Sequence, residues 1–145
     1  MENKKIIDHG VHVIAYIKDN KKYAMTCAWS MLCDYDKILM LLGSQSVTGK
    51  NLKKGDVVGF SALSCDQVFE AMTIGDKHSD DVDKLDGIKI NIDGSAITIA
   101  DASSESVCVV EDILHLKGIE NDNLVYLKIK SCKDNNDNFL HMSDL

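Results

Sequence analysis

The chain has 145 residues and a formal net charge of −7, so we expect a single domain over residues 1–145 with a substantial core. The basic residues are scattered, which argues against nucleic-acid binding because that function needs a concentrated basic face. The N-terminal segment MENKKIIDHG has no long apolar run, so the sequence predicts neither a signal peptide nor a membrane anchor.

Five cysteines, at positions 27, 33, 65, 108 and 132, form no Cys-x-x-Cys pair. Their odd number and spacing predict reduced, mostly buried thiols in a cytoplasmic protein. The histidines show no spacing that is typical of a metal site, so we expect no metal. No His–Asp arrangement lies near Cys27 in sequence, and we interpret this cysteine as a small buried thiol rather than a nucleophile.

The first half of the chain contains apolar runs joined by short polar links. VHVIAYI (11–17) and YAMTCAW (23–29) flank the turn-like segment KDNKK and predict a hairpin. KILMLLG (37–43) predicts a buried third strand, and VVGFSALS (57–64) predicts a fourth one.

Two short helices are predicted between these strands. TGKNLKKGD (48–56) indicates one that stops at Gly55. DQVFEAMTIG (66–75) indicates a second, and its helical period predicts that Val68, Phe69 and Met72 face inward.

The second half is rich in predicted strands. Asp93-Gly94 is a tight hairpin signal between IKINI (88–92) and SAITIAD (95–101). SVCVVEDILHLKG (106–118) and NLVYLKIKSCK (123–133) alternate with a period of two. The total of seven or eight short strands, without regular βαβ alternation, predicts a mostly β protein that forms a closed antiparallel barrel.

The segment GSQSVTGKN (43–51) follows the third predicted strand and is suited to bind an anion. It resembles a nucleotide P-loop but misses that motif twice, because five residues separate its glycines and Asn51 follows Lys50. Hydroxyls and free backbone N–H groups at the start of a helix still favour an anion, by about 0.3–1 kcal/mol from the helix dipole. The alternative is an ordinary loop in which Ser or Thr caps the helix.

Three blocks in this order resemble the flavin reductase-like, FMN-binding split-barrel family, and its flavoredoxin-like branch in particular. MTCAWS (25–30) is similar to a Met-Thr-x-x-Trp run on the second strand of the family. KILMLLG followed by SQSVTGKN is similar to its strand and hydroxyl-bearing phosphate loop. GDKHSDDVDKL (75–85) matches one branch at Gly75, Asp81, Asp83 and Lys84.

The chain also departs from the family pattern. Asp36-Lys37 stands where the family often has two prolines, and Gln45 and Asp80 stand where the similar branch has arginines. Lys50 or backbone amides would then have to supply the phosphate contacts of those arginines.

The resemblance implies an antiparallel Greek-key split β-barrel that binds FMN, with no catalytic side chain of its own. FMN is expected rather than FAD because only one phosphate loop is visible. The expected cofactor-binding residues come from the second strand, from the phosphate loop, and from the third block, where His78 stands in place of a serine beside the flavin: Thr26, Cys27, Ala28, Trp29, Ser30, Ser44, Gln45, Ser46, Thr48, Gly49, Lys50, His78 and Ser79. The alternative for Trp29 is a core position.

The function that the resemblance implies is a flavin reductase in which NAD(P)H passes a hydride to flavin N5 and the flavin passes electrons to an acceptor. The family usually forms homodimers with FMN near the interface. Two alternatives stay open. One is a non-enzymatic FMN protein that carries electrons for a small redox protein, since the acidic charge suits a basic partner. The other is a barrel that has lost flavin binding and serves as an interaction module.

Overall fold

Antiparallel strands make up most of the computed structural model, which describes residues 6–75 and 83–145. Nine strands, two α-helices and a final 3₁₀ turn follow one another in this part of the chain: β1 (His12–Lys18), β2 (Lys21–Cys27), β3 (Ser30–Asp34), β4 (Lys37–Leu42), α1 (Val47–Lys50), β5 (Val57–Ala62), α2 (Val68–Gly75), β6 (Ile90–Asp93), β7 (Ala96–Ile99), β8 (Ser104–Leu114), β9 (Asn123–Asp134) and the turn Met142–Asp144. Neither described helix is long and apolar enough to cross a bilayer.

The strands form one antiparallel sheet in the order β3-β4-β9-β8-β5-β1-β7-β6, and β2 pairs with β1 beside this path. The mostly β, antiparallel prediction is therefore confirmed. The expected closed barrel is wrong in one respect, because the described strands do not pair into a continuous ring. Strand β1 pairs with β2 along one edge and with β5 and β7 along the other, which splits the sheet at this position.

Strand β1 also separates two core clusters, because its successive side chains point to opposite faces. Ile14 and Tyr16 belong to a cluster with β4, β8 and β9, whereas Val13 and Ala15 belong to a cluster with α2 and β7. Both faces of β1 therefore contact a core cluster, which explains why the strand predicted over residues 11–17 is largely apolar on both sides.

Three local predictions differ from the structure. Strand β3 was not predicted, because its exposed residues at the sheet edge lack a buried alternate face. The helix expected over residues 48–56 is the single turn α1. Three of the five free cysteines, Cys33, Cys65 and Cys132, are exposed, so the prediction of mostly buried thiols is wrong for them.

Helix α2 packs with a different face from the predicted one. Val68, Phe69 and Met72 are exposed, with Phe69 at 69%. The buried residues are Ala71 and Ile74, which join the second core cluster. The smaller Ala71 lets the helix lie close to β2, and its carbonyl oxygen accepts a hydrogen bond of 2.7 Å from the Thr26 hydroxyl.

Gly59 permits a close approach between β5 and β7 at the point where the sheet splits. A Cβ atom at this position would lie 1.8 Å from the carbonyl oxygen of Ile97 and 2.4 Å from its carbonyl carbon. These are backbone atoms, so no side-chain rotation relieves the clash.

We therefore expect Gly59→Ala to lower the free energy of unfolding by about 3 kcal/mol, the upper end of what overpacking costs. Chemical denaturation followed by circular dichroism measures this loss. Gly43→Ala is the matched control, since its Cβ atom would meet nothing within 4 Å, and we expect it to change stability by less than about 0.5 kcal/mol. Equal midpoints for the two variants would show that the β5–β7 approach is not tight.

Candidate functional site

A cavity of about 390 Å³, here called the first cavity, lies between β2, the loop after β4 and the end of α2. The long-range pairing of β4 with β9 also brings Asp122 to its rim. Its lining combines hydroxyls, an amide, an ammonium and a carboxylate with apolar groups: Met25, Thr26, Gly43, Ser44, Gln45, Ser46, Val47, Thr48, Ile74, Gly75, Lys84 and Asp122. Of the thirteen site residues expected from sequence, five line this cavity: Thr26, Ser44, Gln45, Ser46 and Thr48.

The hydroxyls of Ser46 and Thr48 are engaged within the protein. Ser46 is the N-cap of α1, and its Oγ accepts a 2.9 Å hydrogen bond from the Gly49 N–H. The same hydroxyl donates a hydrogen bond to Met25 Sδ at 2.9 Å. Thr48 is buried, and its Oγ1 donates to the carbonyl oxygen of Ala24 at 3.1 Å. These bonds fix the loop against β2, as the capped-loop alternative predicts.

The expected amide donors of α1 are also engaged. The Gly49 N–H bonds Ser46 Oγ, and the Lys50 N–H bonds the Ser46 carbonyl oxygen at 3.0 Å. Neither Gly49 nor Lys50 lines the first cavity. Within residues 6–75 and 83–145, the backbone N–H groups of Gln45 and Val47 have no hydrogen-bond partner, so the polar groups open to a ligand lie earlier in the loop than expected.

Lys84 is the cation of the first cavity among the described residues that line it. Its side chain is largely buried, the residue being 9% exposed, and Nζ donates to the carbonyl oxygen of Ala24 at 2.9 Å. Burial lowers the pKa of this ammonium. Lys84 was absent from the expected site residues, although the match of the third block already contained it.

Asp122 is a second residue that the sequence did not predict. Its carboxylate Oδ1 accepts a 2.9 Å hydrogen bond from the Ser44 N–H, at the entrance of the expected phosphate loop. The two residues are 78 positions apart, so no local pattern connects them.

The second-strand block divides between different environments. Thr26 lines the first cavity, whereas the Cys27 side chain is buried in the core, where burial raises the pKa of its thiol to about 11. The interpretation of Cys27 as a buried thiol is therefore confirmed. Ala28 and Trp29 form the turn before β3, and Trp29 is 61% exposed, so the core alternative for it is wrong.

Ser30 lines a second cavity, of about 470 Å³, on the side of the sheet that carries β3. Its walls are mainly apolar: His12, Ser30, Met31, Leu32, Tyr35, Ile38, Phe60, Ala62, Ser104, Ser106, Ile129, Cys132 and Phe139. The structure therefore separates Ser30 from the other expected residues. His78 and Ser79 lie outside the described residues.

His12 lies on β1 and lines the second cavity. Its Nδ1 lies 2.6 Å from Ser30 Oγ, and its ring stacks on Phe60 with centroids 5.0 Å apart. Burial, with smaller contributions from the charges of His9 and His141, lowers the pKa of His12 from 6.5 to about 4. The imidazole is therefore neutral in the folded protein at neutral pH.

The lowered pKa of His12 predicts acid sensitivity. Below pH 6.5 the unfolded chain binds the proton more readily than the folded one, so the contribution of His12 to stability is complete above that pH and is lost as pH falls toward 4. We expect wild type to lose about 2 kcal/mol more of its unfolding free energy than His12→Asn between pH 7.5 and 5.

Urea unfolding at several pH values measures this difference, and His115→Asn, which removes an exposed histidine, is the control that should behave like wild type. Parallel pH profiles for wild type and His12→Asn would contradict the expectation.

No family model matches the sequence, and no curated protein matches it. Solved structures do match the fold. The Streptomyces globisporus C-1027 NADH:FAD oxidoreductase SgcE6 is 17% identical, covers 88% of this chain and 76% of its own, and superposes with a TM-score of 0.79.

An FMN-binding protein from Thermus thermophilus is 10% identical, with 90% of this chain and 73% of that one covered and a TM-score of 0.77. Flavoredoxin from Methanosarcina acetivorans is 12% identical, with 92% and 74% covered and a TM-score of 0.75. At these identities the likeness shows the fold. This chain has the split-barrel fold of the flavin reductases and FMN-binding flavoredoxin-like proteins.

Proposed function

We propose that this chain is a flavin-binding oxidoreductase of the NAD(P)H-dependent flavin reductase type, with FMN held in the first cavity. The observation that carries the proposal is the position of this cavity. It lies between β2 and the hydroxyl-bearing loop after β4, on a fold shared with flavin reductases. Both segments belong to the blocks in which the sequence resembles that family.

The chemistry of the lining fits a flavin. A flavin has a flat ring with an apolar edge and a polar edge, followed by a chain of hydroxyls. The half-buried Met25 and Val47 supply apolar contacts, and Ser44 and Gln45 supply exposed polar groups. The volume of about 390 Å³ lies in the range of cavities that bind small molecules.

The residues of the chain would bind and orient the flavin rather than react. When bound, the flavin supplies the hydride chemistry. The ammonium of Lys84 is held in place by the Ala24 carbonyl, so it is already oriented to stabilise negative charge that develops in the cavity. Five free cysteines, three of them exposed, support a reducing compartment such as the cytoplasm.

The second candidate is an FMN protein that relays electrons to a small redox protein. The net charge of −7 favours it, because an acidic surface attracts a basic partner. This candidate uses the same first cavity and differs only in whether NAD(P)H reduces the bound flavin.

An absorbance spectrum of the purified chain from about 300 to 550 nm, recorded with FMN before and after anaerobic NADH or NADPH, tests both candidates. We expect a flavin spectrum that bleaches, which supports the reductase and identifies the donor. A bound flavin that stays yellow favours the electron relay. A chain that binds no flavin contradicts both and favours an interaction module.

Two cavity-filling variants test where the flavin binds. Gly75→Leu places a side chain in the first cavity, where the Cβ atom has ordinary contacts with Thr26 at 3.6 Å. Ser104→Leu fills the second cavity instead. We expect the first variant to weaken flavin binding at least about tenfold and the second to leave it unchanged.

We further propose that the chain forms a homodimer through the β3 surface, defined here as Trp29, Met31, Leu32 and Tyr35. All four side chains are exposed, Tyr35 by 98%. They lie on or beside an edge strand whose outer backbone groups have no neighbouring strand among those described. Apolar groups grouped on an open sheet edge are typical of an interface.

Light scattering coupled to size-exclusion chromatography tests the dimer. We expect wild type at twice the 16.0 kDa mass of one chain and Leu32→Glu shifted to the monomer, because the variant buries an unpaired charge in the interface. Ile92→Glu is the matched control, as Ile92 is exposed to a similar degree on the opposite edge strand β6. A monomeric wild type, or a dimer that survives Leu32→Glu, would refute this interface.

A further inference from the structure

We propose that Asp122 is a specificity-determining residue. Its carboxylate competes with the phosphate of a flavin for the Ser44 N–H and repels the phosphate charge. Its carboxylate already accepts the Ser44 N–H, at 2.9 Å, where the loop opens into the first cavity. A ligand phosphate placed on this loop has to displace that carboxylate or lie beside it. This inference rests on the proposed flavin site.

The position of Asp122 is fixed by its neighbours. Asn123 pairs with Leu42 at the end of β4, and its Nδ2 donates to the Gly49 carbonyl oxygen at 3.2 Å. The Asp122 N–H bonds the Ile119 carbonyl oxygen at 3.0 Å. Strand pairing and these bonds together hold the carboxylate against the loop.

The charge of the first cavity also disfavours a phosphate. Among the described residues that line it, Lys84 carries the positive charge and Asp122 the negative one, so the formal charges of this lining sum to zero. The basic residues of the sequence are all lysines, so the bidentate contacts that an arginine makes with a phosphate are not available. Lys50, the basic residue of the loop, does not line the cavity.

A phosphate monoester carries a charge of about −1.5 to −2 at neutral pH, whereas riboflavin carries none at its ribityl end. The repulsion from Asp122 therefore acts on FMN and spares riboflavin. It follows that the site holds a phosphorylated flavin more weakly than it would without this carboxylate.

Titrations of FMN and riboflavin into the full-length chain, followed by quenching of flavin fluorescence, test this role. Asp122→Asn keeps an oxygen for the Ser44 N–H and removes the charge. We expect it to tighten FMN about tenfold and to change riboflavin affinity less than about twofold. Asp122→Glu keeps the charge and should retain the wild-type ratio of the two affinities.

Asp112→Asn is the charge-matched control, because Asp112 is exposed on β8 and does not line the cavity. Asp122→Ser replaces Asp122→Asn if that variant does not fold. An FMN-to-riboflavin ratio that Asp122→Asn leaves unchanged, or that Asp112→Asn alters equally, overturns the inference while the flavin site stands. Failure of both flavins to bind any variant overturns the flavin site and the inference together.

Discussion

The pairing of β1 with three strands determines where both cavities lie. On one edge, β1 aligns Val13 with Thr26 and His12 with Cys27 on β2. On the other edge, it aligns His12 with Ala62 and Ile14 with Phe60 on β5. Thr26 thereby faces the first cavity, and His12 and Phe60 form part of the second. A register slip of one residue would turn these side chains to the opposite faces of the sheet.

The loop after β4 is held in shape by its own polar groups. The sequence predicts Ser46 and Thr48 as phosphate ligands. Their hydroxyls instead form hydrogen bonds with backbone groups of α1 and β2. This arrangement orders the loop before any ligand arrives, so binding does not have to supply that ordering. The consequence is that fewer donors stay open. The side chains of Ser44 and Gln45, with the backbone N–H groups of Gln45 and Val47, would have to supply the polar contacts of a ligand in this cavity.

The sequence predicted the strands well wherever they were apolar on one or both faces, as in β1, β4 and β9. The prediction failed where the burial of a side chain depends on which element packs against it. For α2, the helical period marked Phe69 as buried, but the fold buries the neighbouring Ala71 because a small residue allows closer packing. Strand β3 has no buried face, so a pattern of hydrophobicity could not reveal it.

The candidate site shows the same limit more sharply. Thr26 and the loop over residues 43–48 were found from sequence because each is a continuous block. Asp122 was not, because its bond to Ser44 exists only through the pairing of β4 with β9. A carboxylate placed by tertiary structure changes the electrostatics of the loop without changing its local sequence. A resemblance carried by local motifs therefore points to a candidate site and misses the charges that tertiary structure brings to it.

The turn between β2 and β3 connects the first cavity to the β3 surface. Thr26 lines the first cavity and Ser30 the second, and only three residues separate them. The Trp29 carbonyl oxygen accepts the Leu41 N–H at 2.8 Å, which anchors the turn to the strand that leads into the hydroxyl loop. An interface on β3 and a ligand in the first cavity would thus restrain the same short segment. Two events that order one segment favour each other, because the second event has less conformational entropy to remove.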